Sequence, residues 1–327
     1  MRTKLVMVAV ALCAGVLAGG LAGCSTLGGS ALDHATPSAF GPWTEALADV
    51  RVEHRQTIEG VGAAQGLVVH NGFIYVFGDA ETGVIREYRV AWTGGEPRLA
   101  YTGREILCTV DGVDVAPHPT GLTFHPELGC YLGDTVKRVG TIFKIDFDRA
   151  LAGGTLDGAI LNRIDDDAAV NGTRPEFVEH GGEWFIATAD YGDIDNQLRL
   201  YDPEGLAAAS ATSEPGVLVQ AMPTGAFVQS MRWLPASGYL VLAQNQIAGL
   251  LYRLTFVPLA EARERDDARF PVIDIDGPNN ELDDELEGWA PLADARGGRD
   301  GWFVMVSAMR EDNVTFLRMR LPSDLLR

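Results

Sequence analysis

The pattern of apolar and polar positions is clearest between Gly62 and Val90, and the rest of the chain repeats it. Gln65-Gly66-Leu67-Val68-Val69-His70 runs into a turn at Asn71-Gly72, followed by Phe73-Ile74-Tyr75-Val76-Phe77. Asn-Gly between two apolar runs marks a two-residue hairpin, because both central residues of that turn must tolerate positive φ. Beyond a polar turn from Gly78 to Gly83, Val84, Arg86, Tyr88 and Val90 alternate with Ile85, Glu87 and Arg89. That two-residue period is the mark of a half-buried strand. The pattern predicts three antiparallel strands here and a fourth, weaker one over Arg98 to Leu107.

The unit recurs. Inner strands open at Gln65-Gly66, Thr120-Gly121, Pro175-Glu176, Gln229-Ser230 and Glu287-Gly288, in steps of roughly 55 residues. A turn follows each opening, at Asn71-Gly72, Leu128-Gly129, Gly181-Gly182, Ser237-Gly238 and Gly297-Gly298. Second strands are expected at Phe73–Phe77, Cys130–Leu132, Trp184–Ala187, Tyr239–Ala243 and Trp302–Val306, and third strands at Val84–Val90, Thr141–Phe147, Gln197–Tyr201, Leu250–Phe256 and Val314–Leu321. Four-stranded units at a fixed period predict an all-β propeller, since one blade alone cannot bury its faces. The count is five blades, with six as the alternative if a long connection hides a degenerate one. The last repeat stops after three strands. The alternating segment Val50–Ile58 is the missing fourth, closing the ring and removing the open edges a sheet must otherwise protect.

The N-terminus has a different character. Arg2 and Lys4 precede an apolar run from Leu5 to Leu21 that ends in Leu21-Ala22-Gly23-Cys24. This resembles a bacterial lipoprotein signal with its lipobox. The resemblance implies a signal peptide over 1–23, lipidation of Cys24, and an exported protein held at the cell envelope, on the outer membrane if the cell is Gram-negative. Residues 24–42 then read as a flexible tether and 43–327 as the propeller. The net charge of −19 becomes more negative once Arg2 and Lys4 are removed. It argues against nucleic acid and anionic headgroups as partners. Cys108 and Cys130 remain after processing, and blade geometry sets them toward opposite rims, against a disulfide.

In a propeller the inner-strand openings and the loops after the second and fourth strands share one face. Sorted onto it are Gln65, His118, Thr120, Arg174, Glu176, Gln229, Glu285 and Glu287 from the openings, and Asp79, Asp134, Asp190 and Asn245 from second-strand ends. Loops add Asp165, Asp166, Asp167, Asn279, Asn280, Glu281, Asp283 and Asp284, among others. Oxygen-rich loops of this kind suit a hard divalent cation. For a metal (calcium, zinc or manganese) the preferred ligands are Glu176 and Glu287, which make a polar ring with Gln65, Gln229 and His118; Asn245 is a further candidate ligand. Recurrence of Asp79, Asp134 and Asp190 at one strand-end position equally suits a turn device. No Gly-x-Ser-x-Gly motif is present, and neither cysteine has a histidine nearby in sequence. His54, His70, His125 and His180 fall on strands or turns as packing or surface residues. Trp184, Trp233, Trp289 and Trp302 are expected to fill the wedges between blades.

Arg174-Pro175-Glu176-Phe177, followed by Asp190-Tyr191-Gly192 and Tyr201-Asp202-Pro203-Glu204-Gly205, resembles a blade of the gluconolactonase/senescence-marker propellers, as does His118-Pro119-Thr120-Gly121-Leu122. The resemblance spans about two blades. It implies a six-bladed fold with one divalent metal held on the axis by a glutamate, two asparagines and an aspartate. Here Glu176-Phe177 and Thr120 replace the family's Asn-Asp pair and its other asparagine. The sequence thus points to an envelope protein binding a cation or small ligand on an acidic central face, with catalysis left open. The alternatives are a metal-dependent lactonase-like hydrolase using Glu176 and Glu287, and a scaffold whose rim docks an envelope protein.

Overall fold

The hairpin that dominates the sequence forms as expected. The computed structural model describes residues 50–247, 250–260, 270–279, 281, 284–292 and 301–321. The expected signal, lipobox and tether, the Gly297-Gly298 turn, Asn280 and Asp283 lie outside the described residues. Ala63–His70 pairs antiparallel with Phe73–Asp79 through a turn where Asn71 has φ 50° and Gly72 φ 79°. Both are left-handed, which matches the twist of the flanking strands. Gly83–Thr93 and Glu96–Leu107 extend the sheet outward into a four-stranded blade 1.

Blade 2 is built from Pro119–His125, Gly129–Val136, Val139–Ile145 and Ile160–Asp166. Blade 3 comprises Glu176–His180, Glu183–Ala189, Gln197–Tyr201 and Leu218–Pro223, and blade 4 Val228–Leu234, Tyr239–Ile247, Leu251–Pro258 and Val272–Asp276. Leu286–Leu292, Gly301–Ser307 and Val314–Met319 make blade 5, whose outermost strand, Arg51–Gln56, comes from the other end of the chain. Gln56 lies opposite Val314 and Arg51 opposite Arg318. The closure has a polar clip as well. Asn313 Oδ1 accepts from the Ile58 N–H at 2.8 Å and its Nδ2 donates to the Ile58 carbonyl at 2.9 Å. The fold is a five-bladed β-propeller closed by its N-terminal strand.

Short helices interrupt the third-to-fourth connections of blades 2 and 3. Blade 2's third strand, expected to reach Phe147, stops at Ile145 because Asp146 caps the helix Phe147–Gly153, its side chain accepting from the Arg149 N–H at 3.1 Å. Asp202 caps Pro203–Ala208 in the same way, with proline in the first turn.

The core consists of five apolar clusters, each shared by two adjacent blades: 1 with 2, 2 with 3, 3 with 4, 4 with 5, and 5 with 1. Trp233, Trp289 and Trp302 are buried in these wedges and Trp184 packs at the edge of two of them, as their strand positions implied. Inner strands approach closely at the axis. A Cβ on Gly288 would lie 2.7 Å from the Leu67 backbone nitrogen, so blade 5 meets blade 1 only because that residue is glycine. Cys108 and Cys130 are buried free thiols in the wedge between blades 1 and 2.

Candidate functional site

The inner strands share a feature that the alternating pattern does not reveal. Pairing with the second strand slips between Ala64 and Gly66, Pro119 and Gly121, Val228 and Ser230, and Leu286 and Gly288. The residue left over in each case is Gln65, Thr120, Gln229 or Glu287. A bulge inserts one residue into one strand and re-aims the side chain it carries. Blade 3 has no slip at this point. Glu176 pairs directly with Ala187, and Pro175 stands at the repeat position. Glu176 is therefore one place out of phase with the other four residues. Its Oε1 accepts from the Trp233 N–H at 2.9 Å; burial raises its carboxyl pKa, with Arg232 opposing. Among the described residues it has no hydrogen-bond partner in common with Glu287.

Arg174 reaches the site instead. Its Nε donates to the Gln229 carbonyl at 2.9 Å, its Nη2 to Gln229 Oε1 at 3.4 Å, and its guanidinium lies 5.4 Å from the centre of the Tyr191 ring. These bonds fix the orientation of the Gln229 amide. Its Nε2 then donates to Glu285 Oε2 at 2.8 Å and to Glu287 Oε1 at 3.1 Å, while the Tyr191 hydroxyl donates to Glu285 Oε1 at 2.8 Å. The outcome is a pair of adjacent carboxyl groups held by an oriented amide, a phenol and a guanidinium. Glu287 is 1% exposed, yet its Oε2 has no partner among the described residues. Burial first, and then the neighbouring Glu285, push its pKa well above the usual carboxyl range; Arg174 pulls the other way and Asp79 adds to the rise. A like charge beside a buried carboxyl disfavours its ionised form, which is why Glu285 adds to the rise at Glu287. Burial also lowers Arg174 to about 10, with Glu287 opposing.

The other expected face residues are distributed around this pair. His118 Nδ1 lies 3.1 Å from Asp79 Oδ2 at the mouth. Asp79 Oδ1 accepts from the Ala63 N–H at 3.2 Å, Asp134 Oδ1 from the His118 N–H at 2.8 Å, and Asp190 Oδ1 from Val170 at 2.9 Å and Asn171 at 3.1 Å. These recurring aspartates thus hold the segments that lead into their own blades. Burial raises Asp134 to about 6 against its bond from His118. Burial acts on Asp190 as well, but Arg199 and backbone N–H groups outweigh it and hold that carboxyl below its usual range. Asn245 Oδ1 accepts from the Leu286 N–H at 2.7 Å, clasping blade 5 to blade 4. Thr120 donates to the Thr173 carbonyl at 2.5 Å, and Gln65 sits buried at its bulge. Asp166, expected in an open loop, is buried and accepts from the Tyr201 hydroxyl at 2.6 Å.

A divalent metal on the axis would need several oxygen donors converging on one point. Gln229 presents its NH2 to the carboxyls, Arg174 lies behind it, and Glu176 is engaged elsewhere. No group of three His, Cys, Asp or Glu side chains suited to a metal occurs among the described residues. Glu285 and Glu287 stand as a carboxyl pair joined through the Gln229 amide. Tyr191 is the site residue that sequence reasoning missed; its only signal was its place after Asp190 in the tyrosine-glycine turn.

Fold and site together define a five-bladed β-propeller with a carboxyl pair at its axial opening. No protein-family model matches the chain, and no curated protein matches it in sequence. Among solved structures it is similar to Kuenenia stuttgartiensis hydrazine synthase, at 10% identity over 79% of this chain and 67% of that one, with a TM-score of 0.39.

Proposed function

We propose that this propeller is a binding protein of the bacterial cell envelope, held to a membrane through lipidated Cys24, that takes a small hydroxylated ligand at Glu285 and Glu287. One observation carries the reading. Glu287 Oε2 is a buried oxygen for which no donor stands among the described residues, and such a group costs free energy until one reaches it. Gln229 and Tyr191 supply both oxygens of Glu285 and Oε1 of Glu287, which leaves Glu287 Oε2. Arg174 already offsets the negative charge there, so an uncharged donor such as a sugar or polyol hydroxyl complements the site better than a cation. His118, oriented by Asp79 at the mouth, supplies a further polar contact.

Thermal melts of the full-length chain test this. The chain is stripped with EDTA, then exposed separately to calcium, zinc, manganese, D-glucose and myo-inositol. A ligand that binds only the folded state raises the midpoint. The expected result is a rise with a polyol that EDTA leaves unchanged and Glu287→Gln abolishes. A rise with a divalent ion alone, equal responses from wild type and Glu287→Gln, or no rise with either polyol would each overturn the reading.

A further inference from the structure

The inner strands run away from the axial mouth, so the turns between first and second strands emerge on the opposite face. There, between blades 2 and 3, lies a cavity of about 650 Å³, within the range of small-ligand pockets. One wall is aromatic. The half-buried Trp184 indole meets the His125 imidazole edge-on, with ring centroids 4.6 Å apart, and Phe185 continues the apolar surface. His125 is fixed in place. Its Nδ1 accepts from the backbone N–H groups of Glu127 at 3.2 Å and Leu128 at 3.1 Å, which puts the ring proton on Nε2.

The other walls carry charge of one sign. Glu127 lies in the first-to-second turn of blade 2, Glu183 opens the second strand of blade 3 and Glu204 lies in the helix Pro203–Ala208; all three are exposed, and among the described residues none of them forms an ion pair. Asp202 adds a fourth carboxylate, one oxygen of which caps the helix Pro203–Ala208. Lys144 on blade 2 is drawn over the Tyr131 ring at 5.6 Å. An aromatic wall attracts a cation through its ring face, and separated carboxylates select one that carries charge at more than one point. Apolar surface between them suits methylene spacers.

We propose that this cavity is a second binding site, independent of the axial one, for linear aliphatic polyamines. One ammonium group packs against Trp184 and the others reach the three glutamates. Spermidine titrated into the full-length chain by calorimetry at 150 mM salt tests it. A saturating one-to-one isotherm is expected, while 1,4-butanediol, which has the carbon spacer without the charges, gives no heat when titrated into Glu287→Gln, where the axial site is disabled. The triple variant Glu127→Gln, Glu183→Gln, Glu204→Gln alters only exposed side chains, so its melting midpoint stays unchanged while spermidine affinity falls at least tenfold. Glu287→Gln binds spermidine as the wild type does, which separates this site from the axial one. Equal affinity in the triple variant, or uptake that never saturates, would show mere condensation on an acidic surface and overturn the proposal.

Discussion

Replacing Arg199 by methionine tests how the propeller holds its axial face. Arg199 and Asp190 are 1% and 0% exposed at their side chains, joined by Nη1 to Oδ1 at 3.0 Å and Nη2 to Oδ2 at 2.6 Å. Removing one member of a buried ion pair strands the other charge and costs about 3–5 kcal/mol. Asp190 keeps the N–H groups of Val170, Asn171 and Gln197, which sets the expected loss near the lower end, about 3 kcal/mol. That is a large share of a stability of about 5–15 kcal/mol. The sign of the pH dependence follows from the direction of the Asp190 shift. A carboxyl held low in the folded state contributes stability above its unfolded pKa of about 4, lost as pH falls through the folded value. Urea melts should therefore show the deficit of Arg199→Met in full at pH 7 and shrinking below about pH 4. Adding Asp190→Asn removes the stranded charge and should restore much of the loss. A deficit under about 1 kcal/mol, or one the second substitution leaves untouched, would refute the reasoning.

Three further outcomes follow from the same geometry. Asn313→Ala deletes both bonds to Ile58 at the ring closure and leaves a buried backbone donor and acceptor open; chemical denaturation should show a loss of about 2–4 kcal/mol. Gly288→Ala drives a methyl group toward the Leu67 nitrogen and should cost about 1–3 kcal/mol in the same assay. Asp134, raised to about 6 when folded, binds more protons folded than unfolded between about pH 4 and 6, so wild-type stability falls as pH rises through that window. Asp134→Asn keeps an acceptor for the His118 N–H and should be the more stable protein at pH 7, by about 1–3 kcal/mol, with the difference vanishing near pH 4.

Local chemistry made much of the fold readable. Asn71-Gly72 demands its hairpin, the third strands alternate plainly, and the orphan strand near Val50 has a single place to go. Fourth strands were harder. Ile160–Asp166 and Leu218–Pro223 are largely exposed or half-buried, so their apolar signal is weak. Connection helices depend on caps at Asp146 and Asp202, residues that turns use equally well. The site was legible in part: sorting residues by strand end grouped Gln65, Arg174, Gln229, Glu285 and Glu287, and the last four meet in the structure. A bulge, however, leaves no trace in a two-residue period, and so Glu176 was grouped with residues one step out of phase with it. The contacts of Arg174 with Gln229 and of Tyr191 with Glu285 span 55 and 94 residues. No local pattern encodes such pairings.

The measurement that bears most directly on the axial carboxyl pair is the pH titration of the Glu285 and Glu287 side-chain carboxyl carbons by NMR, assigned with Glu287→Gln. The Glu287 carboxyl, buried beside Glu285, is expected to titrate above the range of a free glutamate, and D-glucose or myo-inositol to shift these two signals first. A Glu287 carboxyl that ionises near about pH 4, as a free glutamate does, would contradict it.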